Sequence, residues 1–150
     1  MMGIRETADA FIAGINVLDV DATAPYCADN FSYSGPFPKP VSLQEWRGLA
    51  AVFRNAFPDW RFNAQVERVE GDIVHLTVHP SGTHTGDLDL TALGSGVIPA
   101  SGKSFALPLE NARLTFKGDK IVNFHLDVTP GGGIPGILSQ LGVEMPKGTS

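Results

Sequence analysis

The segment "NFHLDVTPGGG", residues 123–133, alternates Asn123, His125 and Asp127 with Phe124, Leu126 and Val128. In an extended strand this places an imidazole and a carboxylate on one face and an apolar set on the other. A carboxylate in a dry pocket can remove and return a proton, and an imidazole can hydrogen-bond a carbonyl while it does so. The same alternation also describes a strand whose polar face meets water. Neighbouring strands bring His75, Thr77 and His79, and Asn111, Arg113 and Thr115, to corresponding positions. This mixture of His, Asn, Thr and Arg, poor in Lys and Glu, suits a pocket or a dimer interface. A one-residue register change would move any of these sets to the other face.

Other residues hold separate possibilities. His84, in "GTHTG", lies in a strand-end loop, where it either fixes the loop through hydrogen bonds or touches substrate. Asp87 and Asp89 follow it, but a His-x-x-Asp-x-Asp spacing in a loop is too loose to assign a metal, and neither metal nor cofactor is expected. Tyr33 and Trp46 offer aromatic surface for a flat ligand or for the core. Arg113 suits an enolate, a substrate carboxylate or a surface ion pair. Cys27 is the single cysteine, so no intrachain disulfide exists, and it reads as a small buried hydrophobe. No serine or cysteine sits in a nucleophile-elbow context, so covalent catalysis is not indicated.

The elements that must position these residues follow from periodicity. Ala8, Phe11, Ile12, Ile15 and Leu18 predict an amphipathic helix over 4–18, and Asp21 a short second helix through Cys27. "SGPFPKP", 34–40, is loop. Ser42 and Glu45 form a capping box before the stripe Trp46, Leu49, Phe53 and Phe57, with Pro58 as the stop. The period then changes to two, predicting strands at 60–70, 72–80, 104–116 and 120–128, with turns at Gly71-Asp72 and Gly118-Asp119. Residues 86–103 form a long connection that reads as lid or interface, and 135–142 as a last short helix. Helices followed by a run of strands is the α+β order, in one largely antiparallel domain.

The 150 residues carry a net charge of −5 and 43% hydrophobic side chains. The basic residues are scattered, so neither nucleic acid nor an anionic membrane is an expected partner. The N-terminal segment has neither a signal-peptide nor an anchor pattern, so the expected location is cytoplasmic. Apolar residues in 86–103 and 134–143 make a homodimer an expectation.

"FPDWRF" (57–62), "GTHTGDL" (82–88), "IPASGKSF" (98–105) and "DKIVNFHLDV" (119–128), in this order, resemble the SnoaL-like polyketide cyclases and ester cyclases. The resemblance covers most of residues 5–142. It implies a nuclear transport factor two-like, cystatin-like α+β roll, in which a curved sheet forms a cone whose helix-walled open end is the ligand pocket. It also implies an intramolecular aldol cyclisation of a small hydrophobic carbonyl compound, with Asp127, from its place in the last strand, as acid–base. His125 would act beside it, about 7 Å along the strand, through the substrate rather than by direct contact. His84, Tyr33, Trp46, Arg113 and Asn123 complete the expected substrate site. Two features depart from the family pattern: the length of 86–103, and Asn123 and His125 where an acidic residue and a tryptophan are common. Two other readings use the same scaffold: a cofactor-free hydrolase or isomerase in which Asp127 and Arg113 orient water, and a non-catalytic, dimeric small-molecule-binding module.

Overall fold

A computed structural model of the protein describes residues 3–37, 39–91 and 96–142. Helix α1 (Ile4–Ile15) buries Ala8, Phe11, Ile12 and Ile15, as its apolar stripe requires. It ends before the expected Leu18, because Leu18 adopts a left-handed backbone with φ of 54°. The one-turn helix α2 (Val20–Thr23) is capped by Asp19, whose carboxylate accepts the Ala22 N–H at 3.2 Å, and not by Asp21. It also stops short of Cys27, since Pro25 has no N–H with which to continue the ladder. Helix α3 (Leu43–Ala56) carries both bonds of the capping box: Glu45 N–H to Ser42 Oγ at 3.1 Å and Ser42 N–H to Glu45 Oε1 at 2.9 Å.

Among the described residues ten strands follow one another as β1 (Cys27–Ser34), β2 (Val41–Ser42), β3 (Gln65–Glu70), β4 (Ile73–Val78), β5 (Ser81–Thr83), β6 (Leu88–Asp89), β7 (Val97–Ile98), β8 (Ser104–Ala106), β9 (Glu110–Lys117) and β10 (Lys120–Leu126). Six of them form a curled sheet in the order β2-β1-β10-β9-β4-β3, antiparallel except that β1 runs parallel to β10. The antiparallel meander was readable in advance, but β1 was not. "CADNFSYS" buries only Phe31 and Tyr33 and holds Asp29 and Asn30, both poor strand formers, so the free edge of β10 decides its conformation.

The expected strand at 104–116 is two strands. Pro108, which has no N–H to donate, lies between β8, which pairs with β5, and β9, which pairs with β4 and β10. The expected strand at 60–70 begins only at Gln65, since Asn63 is left-handed (φ 54°) and the preceding stretch makes one bridge, Arg61 to Ser81. Within the long connection 86–103, β6 and β7 form a ribbon tied to the end of α3 by the Gly86 N–H on Ala56 O at 3.1 Å. Residues 92–95 of this connection lie outside the described residues. The last helix, α4 (Gly133–Gln140), starts two residues before Pro135. Leu88, Leu90, Ile98, Ile137, Leu138 and Leu141 are buried within the chain, whereas Val97 in the same connection is 49% exposed.

The inner face of the sheet carries Tyr33, Leu76, Ala112, Leu114, Phe124 and Leu126, packed beneath α1 and α3. A register irregularity between Ile121 and Asn123 resets the alternation of β10, so that Phe124 and Leu126 point inward and Asn123 and His125 outward. No helix among the described residues is long and apolar enough to cross a membrane.

Candidate active site beneath the sheet

A cavity of about 60 Å³ opens between the inner face of the sheet, α3 and α4. Its walls include Tyr33 from β1, Trp46 and Phe53 from α3, Trp60 and Phe62 from the stretch before β3, Leu126 from β10, and Ile134 and Ile137 from α4. Among the described lining residues only Glu110 can carry a charge.

Glu110 opens β9 in phase with the inward-facing Ala112, Leu114 and Phe116, so the sheet carries its carboxylate under the roll, where the residue is 2% exposed. Thr129 donates both its backbone N–H and, at 3.1 Å, its Oγ1–H to Glu110 Oε2. Oε1 has no hydrogen-bond partner among the described residues. A buried carboxylate oxygen left unpaired is costly, and Glu110 is one of the residues around the cavity.

Tyr33 lines the same cavity. Its ring stacks on Phe124 at 4.7 Å and 8° and leans on Trp46 at 5.0 Å. Burial first, and then the nearby Glu110 charge, push its hydroxyl far above the ordinary phenol range, so at neutral pH it is a proton-bearing donor. Trp46, expected in either the site or the core, serves both, because it lines the cavity and stacks on Phe31 at 5.8 Å. Trp60 Nε1 is likewise buried without a partner among the described residues.

The residues first singled out lie elsewhere. Asn123, His125, Asp127 and Arg113 form a network on the outer face, so the expectation that they line the pocket is corrected by the register of β9 and β10. His125 Nε2 is 3.1 Å from Asp127 Oδ1, in direct contact rather than acting across a substrate, and Arg113 Nη1 donates to Asp127 Oδ2 at 3.2 Å. Ser34 Oγ pairs with His125 Nδ1 at 2.7 Å, and Asn123 Nδ2 donates to Ser32 Oγ at 3.1 Å and Ser34 Oγ at 3.3 Å. The Asp127 side chain is 47% exposed; its Oδ2 accepts from Arg113, and its Oδ1 lies against the His125 ring.

His84 does not line the cavity either. It is fully buried, and Ser101 engages Nδ1 through its backbone N–H at 3.2 Å and its hydroxyl at 2.9 Å. Burial lowers its pKa, against weaker opposing effects of Ile98 and Asp87. Of its two readings, the loop-fixing one matches this geometry. Asp87 accepts from Ala100 N–H and Asp89 from Thr91, each within its own loop. Among the described residues no three His, Cys, Asp or Glu side chains have metal-holding geometry.

Sequence reading passed over Glu110, although a signal was present. If Asn111, Arg113 and Thr115 face outward, then Glu110 is a carboxylate in the apolar phase of "ENARLTF". An acid placed there needs a partner, and Thr129 of the opening "TPGGG" supplies it.

A family model described as SnoaL-like polyketide cyclase matches residues 5–125. Among solved structures, IdmH from Streptomyces antibioticus, described as a candidate polyketide cyclase, is 18% identical with a TM-score of 0.69, over 95% of this chain and 100% of that one. AclR from Streptomyces galilaeus, described as a candidate hydroxylase, is 20% identical with a TM-score of 0.66, over 93% and 98%. An uncharacterized cystatin fold protein from Novosphingobium aromaticivorans is 27% identical with a TM-score of 0.57, over 84% and 98%. No curated protein sequence matches the chain. At these identities the cyclase and the hydroxylase establish the shared α+β roll and not a shared reaction.

Proposed function

Because this chain belongs to the SnoaL-like polyketide cyclase family, we propose that it performs a cyclase-type proton transfer on a small hydrophobic carbonyl compound, with Glu110 as acid–base and Tyr33 as hydrogen-bond donor. The observation that carries the proposal is that Glu110, the one carboxylate among the described residues lining the cavity, has an unpartnered Oε1.

In this reaction Glu110 Oε1 takes a proton from the carbon beside a carbonyl, and the C–H electron pair moves into an enolate. The Tyr33 hydroxyl donates to the enolate oxygen where negative charge develops. The enolate carbon attacks a second carbonyl of the same molecule, a C–C bond forms, and the proton on Glu110 passes to the new alkoxide. One carboxylate thus serves both transfers, as general acid–base chemistry in an enclosed site allows.

A cavity of about 60 Å³ is smaller than the roughly 150 Å³ that accommodates benzene in an engineered core. A ring-bearing substrate therefore extends beyond this space or displaces part of its wall. The wall formed by α4 is held at its far end by Gln140, which accepts the Ala106 N–H at 2.7 Å and donates to Ala106 O at 2.8 Å.

The test is exchange of the benzylic protons of phenylacetone in deuterated water, followed by proton NMR. Wild-type protein is expected to accelerate exchange, and Glu110→Gln to lower that acceleration about 10²- to 10⁴-fold. An unchanged rate in Glu110→Gln, or no acceleration by wild-type protein, removes the proposal.

A further inference from the structure

We infer that Thr129 is a positioning residue that selects Oε1 of Glu110 as the reacting oxygen; this rests on the assignment of Glu110 above. A carboxylate has two equivalent oxygens on a soft terminal torsion, so an unrestrained glutamate has no defined reacting atom. Here the equivalence is broken by one residue. Both donors of Thr129, its N–H and its Oγ1–H, converge on Oε2, while Oε1 receives none among the described residues.

The backbone packs against the same carboxylate. A Cβ on Gly132 would meet Glu110 Oε2 first and lie 2.8 Å from Cδ and 2.9 Å from Oε1, so no side chain fits there without displacing the carboxylate. The Gly132 N–H bonds back to Thr129 O at 2.9 Å, closing a tight turn in which Gly131 is left-handed (φ 86°). The turn that holds Oε2 leads directly into α4, whose Ile134 and Ile137 line the same cavity. "TPGGG" therefore aligns the acid with the wall of its own pocket. Misplacing a reacting group by about 1 Å can cost about 100-fold in rate, which is the scale on which such a clamp acts.

The experiment measures phenylacetone exchange at low and saturating ketone with Thr129→Val, Thr129→Ser and Gly132→Ala, each checked by thermal melting. Thr129→Val is expected to lower the saturating rate about 10- to 100-fold with KM within twofold of wild type. Thr129→Ser, which restores the hydroxyl, is expected to return to within about threefold, and Gly132→Ala to lose rate as Thr129→Val does. The inference is overturned if Thr129→Val matches wild type while Glu110→Gln abolishes exchange, if the loss lies in KM alone, or if the serine variant is as impaired as the valine variant. Full exchange in Glu110→Gln would instead refute the assignment of Glu110, which separates the two failures.

Discussion

Strands β1, β9 and β10 present two faces with similar chemistry and opposite environments. Outward lie Arg113, His125 and Asp127, half-exposed, each with a partner, and Asp127 with both oxygens engaged. Inward lie Glu110 and Tyr33, buried around an aromatic-walled cavity, with one carboxylate oxygen unpartnered among the described residues. The comparison teaches that an acid–base constellation is not identified by its residue types. A carboxylate already paired with an arginine and a histidine in partial contact with water has little left to offer a substrate, whereas a buried one with an open lone pair does.

The sharpest way to break this contrast is to neutralise the two acids in parallel. Beside the large loss in Glu110→Gln, Asp127→Asn is expected to keep its exchange rate within about threefold, since it alters an exposed pair outside the cavity described above. A greater loss in Asp127→Asn than in Glu110→Gln would restore the outer face as the reactive one.

Stability is expected to divide along the same line. Phe124→Ala, which empties a fully buried inner position, should cost about 3–5 kcal/mol in urea unfolding. Its neighbour Asn123→Ala, which removes outer-face hydrogen bonds, should cost about 1 kcal/mol. Equal costs would mean that the two faces are not distinct in packing.

Alkaline pH probes strand β1, which completes the sheet. Burial raises the Cys27 thiol from 9.0 to about 11 and raises the Tyr33 hydroxyl further above its ordinary value of 10.0. In each case the unfolded chain releases its proton first, so the contribution to stability is intact below the unfolded pKa and is lost as pH rises toward the folded one. Unfolding free energy should therefore fall between pH 9 and 11, less steeply in Cys27→Ala, with the Tyr33 contribution entering only above about 10 and absent in Tyr33→Phe. A flat profile in wild-type protein would show that these groups are hydrated in solution.

The smallest effect is expected at Arg113→Ala. Loss of a pair with side chains 40% and 47% exposed should change stability by no more than about 1 kcal/mol, and less at high salt. A larger penalty would mean that the outer network is shielded in solution by something that covers it.

What the sequence by itself determined is local. The helical stripes of α1 and α3, the Ser42–Glu45 capping box, the period-two runs of β4 and β10 and the glycine turns between strands all rest on neighbours within a few positions, and all are present. The motif resemblance extended this to the α+β roll. What only the tertiary structure decided is long-range. The place of β1 beside β10 joins Ser34 to His125 across 91 positions, and no local preference in "CADNFSYS" specifies it. Pocket and core share one face here, so the polar phase of β10, the natural place to look for chemistry, lies outside. The acid we propose comes instead from the apolar phase of β9, and it is held by Thr129, 19 residues further on. Alternation shows which residues share a face, but whether that face meets water, core or cavity depends on the elements that fold over it.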